Sequence, residues 1–263
     1  MAKNDNILRL LIKNSTNQRG VSLAELAISV SIIGIMLAGV LGGMNVIKAS
    51  NLRRVVTEFT TYKQAVDNFV TQYGYLPGDI PTAYSFWGAT CGANTSGAAG
   101  SCNGSGDGTI AAIQSGVTLP YEDLLAWKHL ALAGLIGGSF TGTNIDGSTR
   151  YKLDVNAPAS AAITDSIYSF AFQGGASVIY STTGHAFHFG TITTGNPTSA
   201  AMLSKDAYAI DKKIDDGLAS YGNLYTIRAG SGCVDAVSSA ASANYDFSST
   251  VKGCHLLYWY KKS

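Results

Sequence analysis

The sequence predicts an α+β protein, a long N-terminal helix packed on the antiparallel β-sheet of a larger head. Three observations carry that expectation. An uncharged apolar run from Leu26 to Ile47 follows a basic N-terminus. An amphipathic helical repeat extends that run to Tyr73. Beyond Gly74, segments of strand character follow segments of helical period in blocks, the pattern of an antiparallel sheet rather than of alternating βαβ units.

The apolar run is roughly 33 Å long at about 1.5 Å per residue, enough to cross the hydrocarbon core once. After Lys48 the pattern changes. Leu52, Val56, Phe59, Val66, Phe69 and Tyr73 recur at helical spacing, with Arg53, Arg54, Glu58, Lys63 and Asp67 between them, which is one buried stripe on a helix outside the membrane. The helix is expected to stop at Gly74, with Pro77 just beyond, because glycine accepts the left-handed closing conformation and proline cannot continue a helix.

The N-terminus carries Lys3, Arg9, Lys13 and Arg19 against Asp5, ahead of the apolar run. Positive charge keeps that side in the cytoplasm and places the bulk of the chain outside it. The order Arg19-Gly20-Val21-Ser22-Leu23-Ala24-Glu25 puts one carboxylate at the mouth of the span, where an ionised group is costly and marks a functional site. An ordinary secretory signal has its apolar region before the cleavage site, whereas here it follows Gly20 and would be retained.

This segment closely resembles the prepilin signal of type IV pilins and type II secretion pseudopilins. The resemblance implies cleavage after Gly20 by a prepilin peptidase, N-methylation of Val21, and a role for Glu25 in guiding assembly. Residues 1–20 would then be a basic leader that is removed, 21–47 the transmembrane and filament-core helix, 48–73 its amphipathic continuation, and 74–263 an extracytoplasmic pilin-like head. The implied partners are the peptidase, other pilin or pseudopilin subunits, an inner-membrane assembly platform and membrane lipid. The implied location is the bacterial inner membrane, single-pass with the N-terminus in the cytoplasm, before assembly. Gly42 and Gly43 fall where pilins often carry a helix-breaking proline, so the helix is expected to loosen there on assembly. Tyr73 to Asp79, a Tyr and Leu-Pro turn after the long helix, resembles pseudopilins as well.

Without residues 1–20 the chain carries 14 Lys plus Arg against 16 Asp plus Glu, a net of −2, which offers no electrostatic footprint for nucleic acid. Cys91, Cys102, Cys233 and Cys254 all lie on the exported side, where disulfides persist. Four cysteines allow three pairings, and the sequence alone does not choose among them. Local pairing, Cys91 with Cys102 and Cys233 with Cys254, is the reading adopted here, because each bridge closes a short loop rich in Gly, Ser and Ala. Zinc ligation is the alternative use of these cysteines, without the close Cys-x-x-Cys pair that zinc sites favour.

Within the head, Glu122 to Leu135 and Ser199 to Ile214 carry the helical period. Ile167 to Phe172, Ser177 to Tyr180, His185 to Phe189, Leu224 to Arg228 and His255 to Tyr260 read as strands from their aromatic and β-branched content. Segments 92–108 and 229–244 are loops by composition.

Asn103, Ser105 and Asp107, then Gly108 and Ile110, copy the start of a calcium loop, in which alternate oxygens converge around a sharp glycine turn. Gln114 stands at the twelfth position in place of the bidentate glutamate, so a calcium ion would need a carboxylate from elsewhere, such as Glu122 or Asp123. The alternative is a plain Gly/Ser/Asn turn. Asp211, Asp215 and Asp216 form a weaker second acidic site, for which a solvated helix end is the preferred reading. His185 and His188 are three apart in a strand, on opposite faces, and make a poor metal pair.

No Gly-x-Ser-x-Gly elbow, His-Glu-x-x-His or phosphate loop is present, so no enzyme activity and no direct nucleotide binding are expected. The expected function is a structural subunit, a minor or specialised pilin or pseudopilin, of a type IV pilus or a type II secretion pseudopilus. The alternative from another class is a membrane-anchored exported binding or enzymatic domain with an incidental anchor.

Overall fold

The computed structural model describes residues 20–96, 100–111, 121–143, 151–174, 183–193, 196–226, 232–235 and 243–262. It divides into two units, Met1–Ala49 and Ser50–Ser263. Residues 1–19 of the leader, the segment 177–180, Arg228 and Gln114 lie outside the described residues, so the expectations placed on them have no structural counterpart here.

The first unit is helical from Leu23, the start of helix α1 (Leu23–Tyr73). Among the described side chains of this unit the large apolar ones are exposed, from Ile32 at 48% to Leu23 at 86%. The helix runs through Gly42 and Gly43 without a break. Each glycine costs a helix about 1 kcal/mol relative to alanine, and the Leu, Ile, Met and Ala residues around them have propensity enough to carry it across.

In the second unit α1 buries one stripe. Val55, Phe59, Val66 and Phe69 are fully buried, with Leu52, Tyr62 and Tyr73 packed at its margin, a spacing of alternating three and four. Val55, not Val56, is the inward residue of that turn; Val56 is only partly buried. The helix ends as expected at Tyr73, where Gly74 turns to φ +75° and its N–H bonds the Val70 carbonyl at 2.9 Å.

The chain then forms a short helix α2 (Ala83–Trp87) and two small parallel strands, β1 (Ala93–Ser96) and β2 (Ser101–Asn103), in a segment expected to be loop. Helix α3 (Glu122–Leu132) follows. The sheet is built from β3 (Ser166–Gln173), β4 (Gly184–Thr193), β5 (Asn196–Ser199), β6 (Leu224–Thr226) and β7 (Leu256–Lys262). Helix α4 (Ser204–Ile214) lies between β5 and β6 in sequence. The strand order is β3-β4-β7-β6, with β5 also on β4, and every pairing in this sheet is antiparallel. The α+β expectation holds. The residues 199–203, expected to open the last helix, instead end β5 and lead into α4.

Register places aromatic residues opposite one another, Phe170 with Phe187 and Phe187 with Tyr258. The Phe170 and Phe187 rings stack at 4.4 Å. Phe59 of α1 meets this face edge-on, 5.2 Å from Tyr168 and 6.0 Å from Phe189, and Tyr62 meets Trp127 of α3 at 5.1 Å. Perpendicular aromatic packing of this kind adds about 0.5–1.5 kcal/mol per pair beyond area burial. The opposite face holds a smaller cluster of Ala186, Tyr225, Leu257 and Trp259.

Candidate functional site

The N-terminal site is built by a helix start. Gly20 has no atom within 4 Å of where a Cβ would stand, and Val21 is 71% exposed, so the Gly20–Val21 bond is accessible. The Ser22 hydroxyl accepts from the Ala24 N–H at 3.3 Å, and the Glu25 carboxylate accepts from the Ser22 N–H at 2.9 Å. This is a capping arrangement of the Ser-x-x-Glu type, in which the glutamate satisfies the donor at the helix entrance and sits in the favourable field of the helix N-terminus. The sequence reading did not use that signal, although Ser22-Leu23-Ala24-Glu25 spells it. The hydroxyls of Ser29 and Ser31 donate to the carbonyls of Glu25 and Ala27 at 2.7 and 2.8 Å, so these two polar groups of the apolar run are satisfied within the helix.

In the head, the expected calcium loop is organised around a carboxylate that the sequence reading passed over. Asp79 is buried and accepts from the Ser105 hydroxyl at 3.1 Å and from the N–H groups of Gly106, Asp107 and Gly108 at 2.7, 3.1 and 3.0 Å. Glu122, also buried, accepts from the Ser105 and Ala111 N–H groups at 2.7 and 2.8 Å. Asn103 turns elsewhere, accepting from Tyr84 N–H at 2.9 Å and donating to Asn94 at 3.1 Å, and Asp107 accepts from the N–H and hydroxyl of Thr109. Of the four expected ligands, Ser105 and Glu122 are joined through the Ser105 N–H, while the Asn103 and Asp107 side-chain oxygens serve other donors. The loop aims its N–H groups at carboxylates, the inverse of a loop that aims oxygens at a cation, and this donor set does not fit a calcium ion without rearrangement.

Burial raises the carboxyls of Asp79 and Glu122 above the ordinary range, and the hydrogen bonds they accept oppose that shift. The Thr109 hydroxyl lowers Asp107. Gly104 and Gly78 are required by close approach. A Cβ on Gly104 would lie 2.2 Å from the Gly78 carbonyl oxygen, and one on Gly78 would lie 2.2 Å from that of Glu122.

His129 on α3 is a fully buried crosslink. Its Nδ1 accepts from Gly78 N–H at 2.9 Å, which leaves Nε2–H to donate to the Cys102 carbonyl at 2.9 Å. Burial lowers its pKa to about 4, so it is neutral at physiological pH. It ties the turn after α1 to β2 and to the Cys91–Cys102 bridge.

The cysteines are joined Cys91 to Cys102 and Cys233 to Cys254. Their sulfurs are thereby committed and supply no thiolates for zinc, although Cys91, Cys102 and His129 lie together. Asp211, expected to be solvated, is buried. It accepts from the Tyr245 hydroxyl at 2.7 Å and the Gly217 N–H at 3.3 Å, and burial pushes its pKa up to about 7. His185 and His188 do separate, as alternation requires. His185 accepts from Ile110 N–H at 3.1 Å, while His188 meets His255 at 3.2 Å.

With this geometry in place, comparison with protein-family models matches residues 15–41 to the prokaryotic N-terminal methylation motif. That motif is the type IV pilin and pseudopilin signal, the kind processed by prepilin peptidase, and it leads into a helix long and apolar enough to cross a membrane. Comparison with curated proteins and with solved structures finds no match.

Proposed function

We propose that the chain is a structural subunit, a minor or specialised pilin or pseudopilin, which a prepilin peptidase trims after Gly20 and which assembles from the bacterial inner membrane into a type IV pilus or a type II secretion pseudopilus. The observation that carries this reading is Glu25, an acid in the first turn of α1 at the head of its exposed apolar half, five residues after Gly20 and inside the matched motif. Neither lipid nor a packed helix bundle solvates a lone carboxylate. In a bundle of such helices it gains an ion pair with the new terminal ammonium of a neighbouring subunit. The apolar side chains from Leu26 to Ile47 pack first against lipid and then against other subunits. A head of about 190 residues, larger than a compact repeating subunit needs, supports a specialised place in the filament. The work of assembly comes from a platform and motor elsewhere.

Mass spectrometry of the protein from its native host should find Val21 as a methylated N-terminus, and Gly20→Arg should leave the full-length precursor in the membrane. A native N-terminus at any other residue would remove the proposal.

A further inference from the structure

We infer that Asn103 is a modification site, an asparagine that cyclises onto Gly104 with loss of ammonia once its loop opens, and that the Cys91–Cys102 bridge is the gate. This goes beyond the assembly role and does not depend on it. Asn103–Gly104 is the one Asn-Gly pair in the chain. Glycine has no Cβ to keep its nitrogen from the preceding side chain, so of all successors to asparagine it hinders ring closure least when the backbone is free.

The reaction needs no reagent but water. The Gly104 nitrogen gives up its proton and bonds Asn103 Cγ, the side-chain amide nitrogen leaves as ammonia, and a five-membered succinimide remains. Water then adds to one of the two ring carbonyls and opens it, leaving aspartate or isoaspartate. Nothing is oxidised or reduced.

The closed fold opposes each part of this. The Gly104 N–H donates to the Ile80 carbonyl at 2.8 Å, which keeps the nucleophile protonated and turned away. The Asn103 carbonyl, the other end of the same peptide, accepts from the Ser101 hydroxyl at 3.1 Å. The side-chain amide is held at both ends as well, Oδ1 by the Tyr84 N–H at 2.9 Å and Nδ2 by Asn94 Oδ1 at 3.1 Å. Asn103 also ends β2, whose extended backbone must rotate before the nitrogen can face Cγ, and at 7% exposure it admits little water.

These restraints meet at the bridge. Cys102, next to Asn103, is fastened to Cys91, and its carbonyl accepts from His129. Breaking the bridge frees β2 with Asn103 from β1 with Asn94. Return is barred once isoaspartate has formed, because it adds a methylene to the main chain where no room is spare. A Cβ on Gly104 would already lie 2.2 Å from the Gly78 carbonyl oxygen and 2.6 Å from Asp79 Cα. A chain that leaves this bridge open is therefore marked irreversibly, beside the loop that Asp79 holds together.

The test follows Asn103 by peptide mapping and mass spectrometry in the full chain in detergent at mildly alkaline pH. Four forms are compared: oxidised, reduced with dithiothreitol, oxidised Asn94→Ala, and unfolded in guanidinium. The unfolded chain should convert readily. The oxidised chain should be at least about tenfold slower, equivalent to an opening free energy of about 1.4 kcal/mol or more. Reduction should return the rate towards that of the unfolded chain. Asn94→Ala, which keeps the bridge and removes one anchor of the amide, should raise the rate by a smaller factor. Asn103→Gln, whose longer side chain closes the ring far more slowly, should abolish the product in every form. An oxidised chain that converts as fast as the unfolded one would overturn the inference. So would a reduced chain, or an oxidised Asn94→Ala chain, as slow as the oxidised wild type.

Discussion

The Tyr168 hydroxyl, buried on β3, donates to the Glu58 carboxylate of α1 at 2.8 Å. The same carboxylate accepts from the Ser160 hydroxyl at 2.8 Å and the Ala161 N–H at 3.1 Å, so one helix side chain fastens both a strand and the loop before it. Burial, then the Glu58 charge, push the Tyr168 phenol well above its ordinary value, so it remains a donor throughout the physiological range. Arg54, 3.6 Å from Glu58 and mostly exposed, adds little by comparison. Glu58→Ala strands a buried hydroxyl and should cost about 2–3 kcal/mol, which is roughly 4–12 °C in Tm for a head of this size. Tyr168→Phe, which leaves Glu58 its other donors, should cost about 1 kcal/mol. Thermal melts of the two variants side by side decide the matter, and equal losses would refute the assigned asymmetry.

His129 makes stability fall in acid. In the unfolded chain it titrates near 6.5, while in the fold its pKa is about 4. The unfolded state therefore binds more protons between these values. The neutral form's contribution is complete above about pH 6.5 and is lost as pH falls towards 4, on the order of 3 kcal/mol in all. Asp211 acts in the opposite direction. Its pKa is raised from 3.8 to about 7, so the fold binds the extra proton and loses stability as pH rises through that window. The two contributions oppose one another between pH 4 and 7, and the raised carboxyls of Asp79 and Glu122 act in the same direction as Asp211. His129→Gln should unmask a decline with rising pH, and Asp211→Asn a decline with falling pH. Denaturant melts at pH 4, 5.5 and 7 would show the two slopes, and slopes of the same sign would contradict the assignment.

Gly78→Ala should be among the most damaging small substitutions in the head. Its φ is +91°, and the added Cβ would meet the Glu122 carbonyl oxygen at 2.2 Å and the Ala126 nitrogen at 2.9 Å, both backbone atoms that cannot yield cheaply. Gly108 has a similar φ of +83° but nothing within 4 Å, so Gly108→Ala carries only the backbone strain, about 1 kcal/mol. Gly78→Ala should exceed that several-fold. Comparable melting temperatures for the two variants would show that the turn relaxes.

Much of this was legible before the structure. Phe59, Phe69 and Tyr73 announce the buried stripe, and Gly74 its end, because a long amphipathic helix writes its period in consecutive residues. The aromatic strands β3, β4 and β7 declare themselves in the same local way. Asp79 and His129 did not. Their partners lie 26 to 29 residues away in one case and 27 and 51 in the other, and no local pattern encodes such pairings. Asn103, Ser105 and Asp107 misled for a related reason: alternate oxygens and glycines build a turn that can face either a cation or a carboxylate, and only the fold shows that Asp79 occupies its centre. Val55 displaced Val56 because the exact inward residue of a turn depends on what the helix packs against, not on its own period.

Calcium provides a direct test of that loop. Asp79 and Glu122 together already accept six hydrogen bonds from it, so an ion would have to displace N–H donors to gain oxygens. The full chain in detergent should melt at the same temperature in millimolar calcium and in chelator. Calcium bound at about 100 times its dissociation constant would instead add about 2.7 kcal/mol. An increment of that size, abolished by Asp107→Ala, would mean that the loop turns its oxygens inward on binding.

Glu25 has two roles that a single alanine substitution would confound. Its carboxylate caps the helix through the Ser22 N–H, and its charge is the proposed partner of a neighbouring subunit's ammonium. Glutamine separates them, because its side-chain oxygen can still accept from the Ser22 N–H in the same Ser-x-x-Gln arrangement while carrying no charge. Glu25→Gln and Glu25→Ala should both be cleaved after Gly20, since neither alters the residues flanking the cut. If the charge drives assembly, both should be deficient in filaments, with Gln no better than Ala. Filament yield by sedimentation and electron microscopy, compared with the amount of trimmed subunit in the membrane, distinguishes the two roles. Near-normal filaments from Glu25→Gln beside failure of Glu25→Ala would assign assembly to the helix cap and dismiss the ion pair.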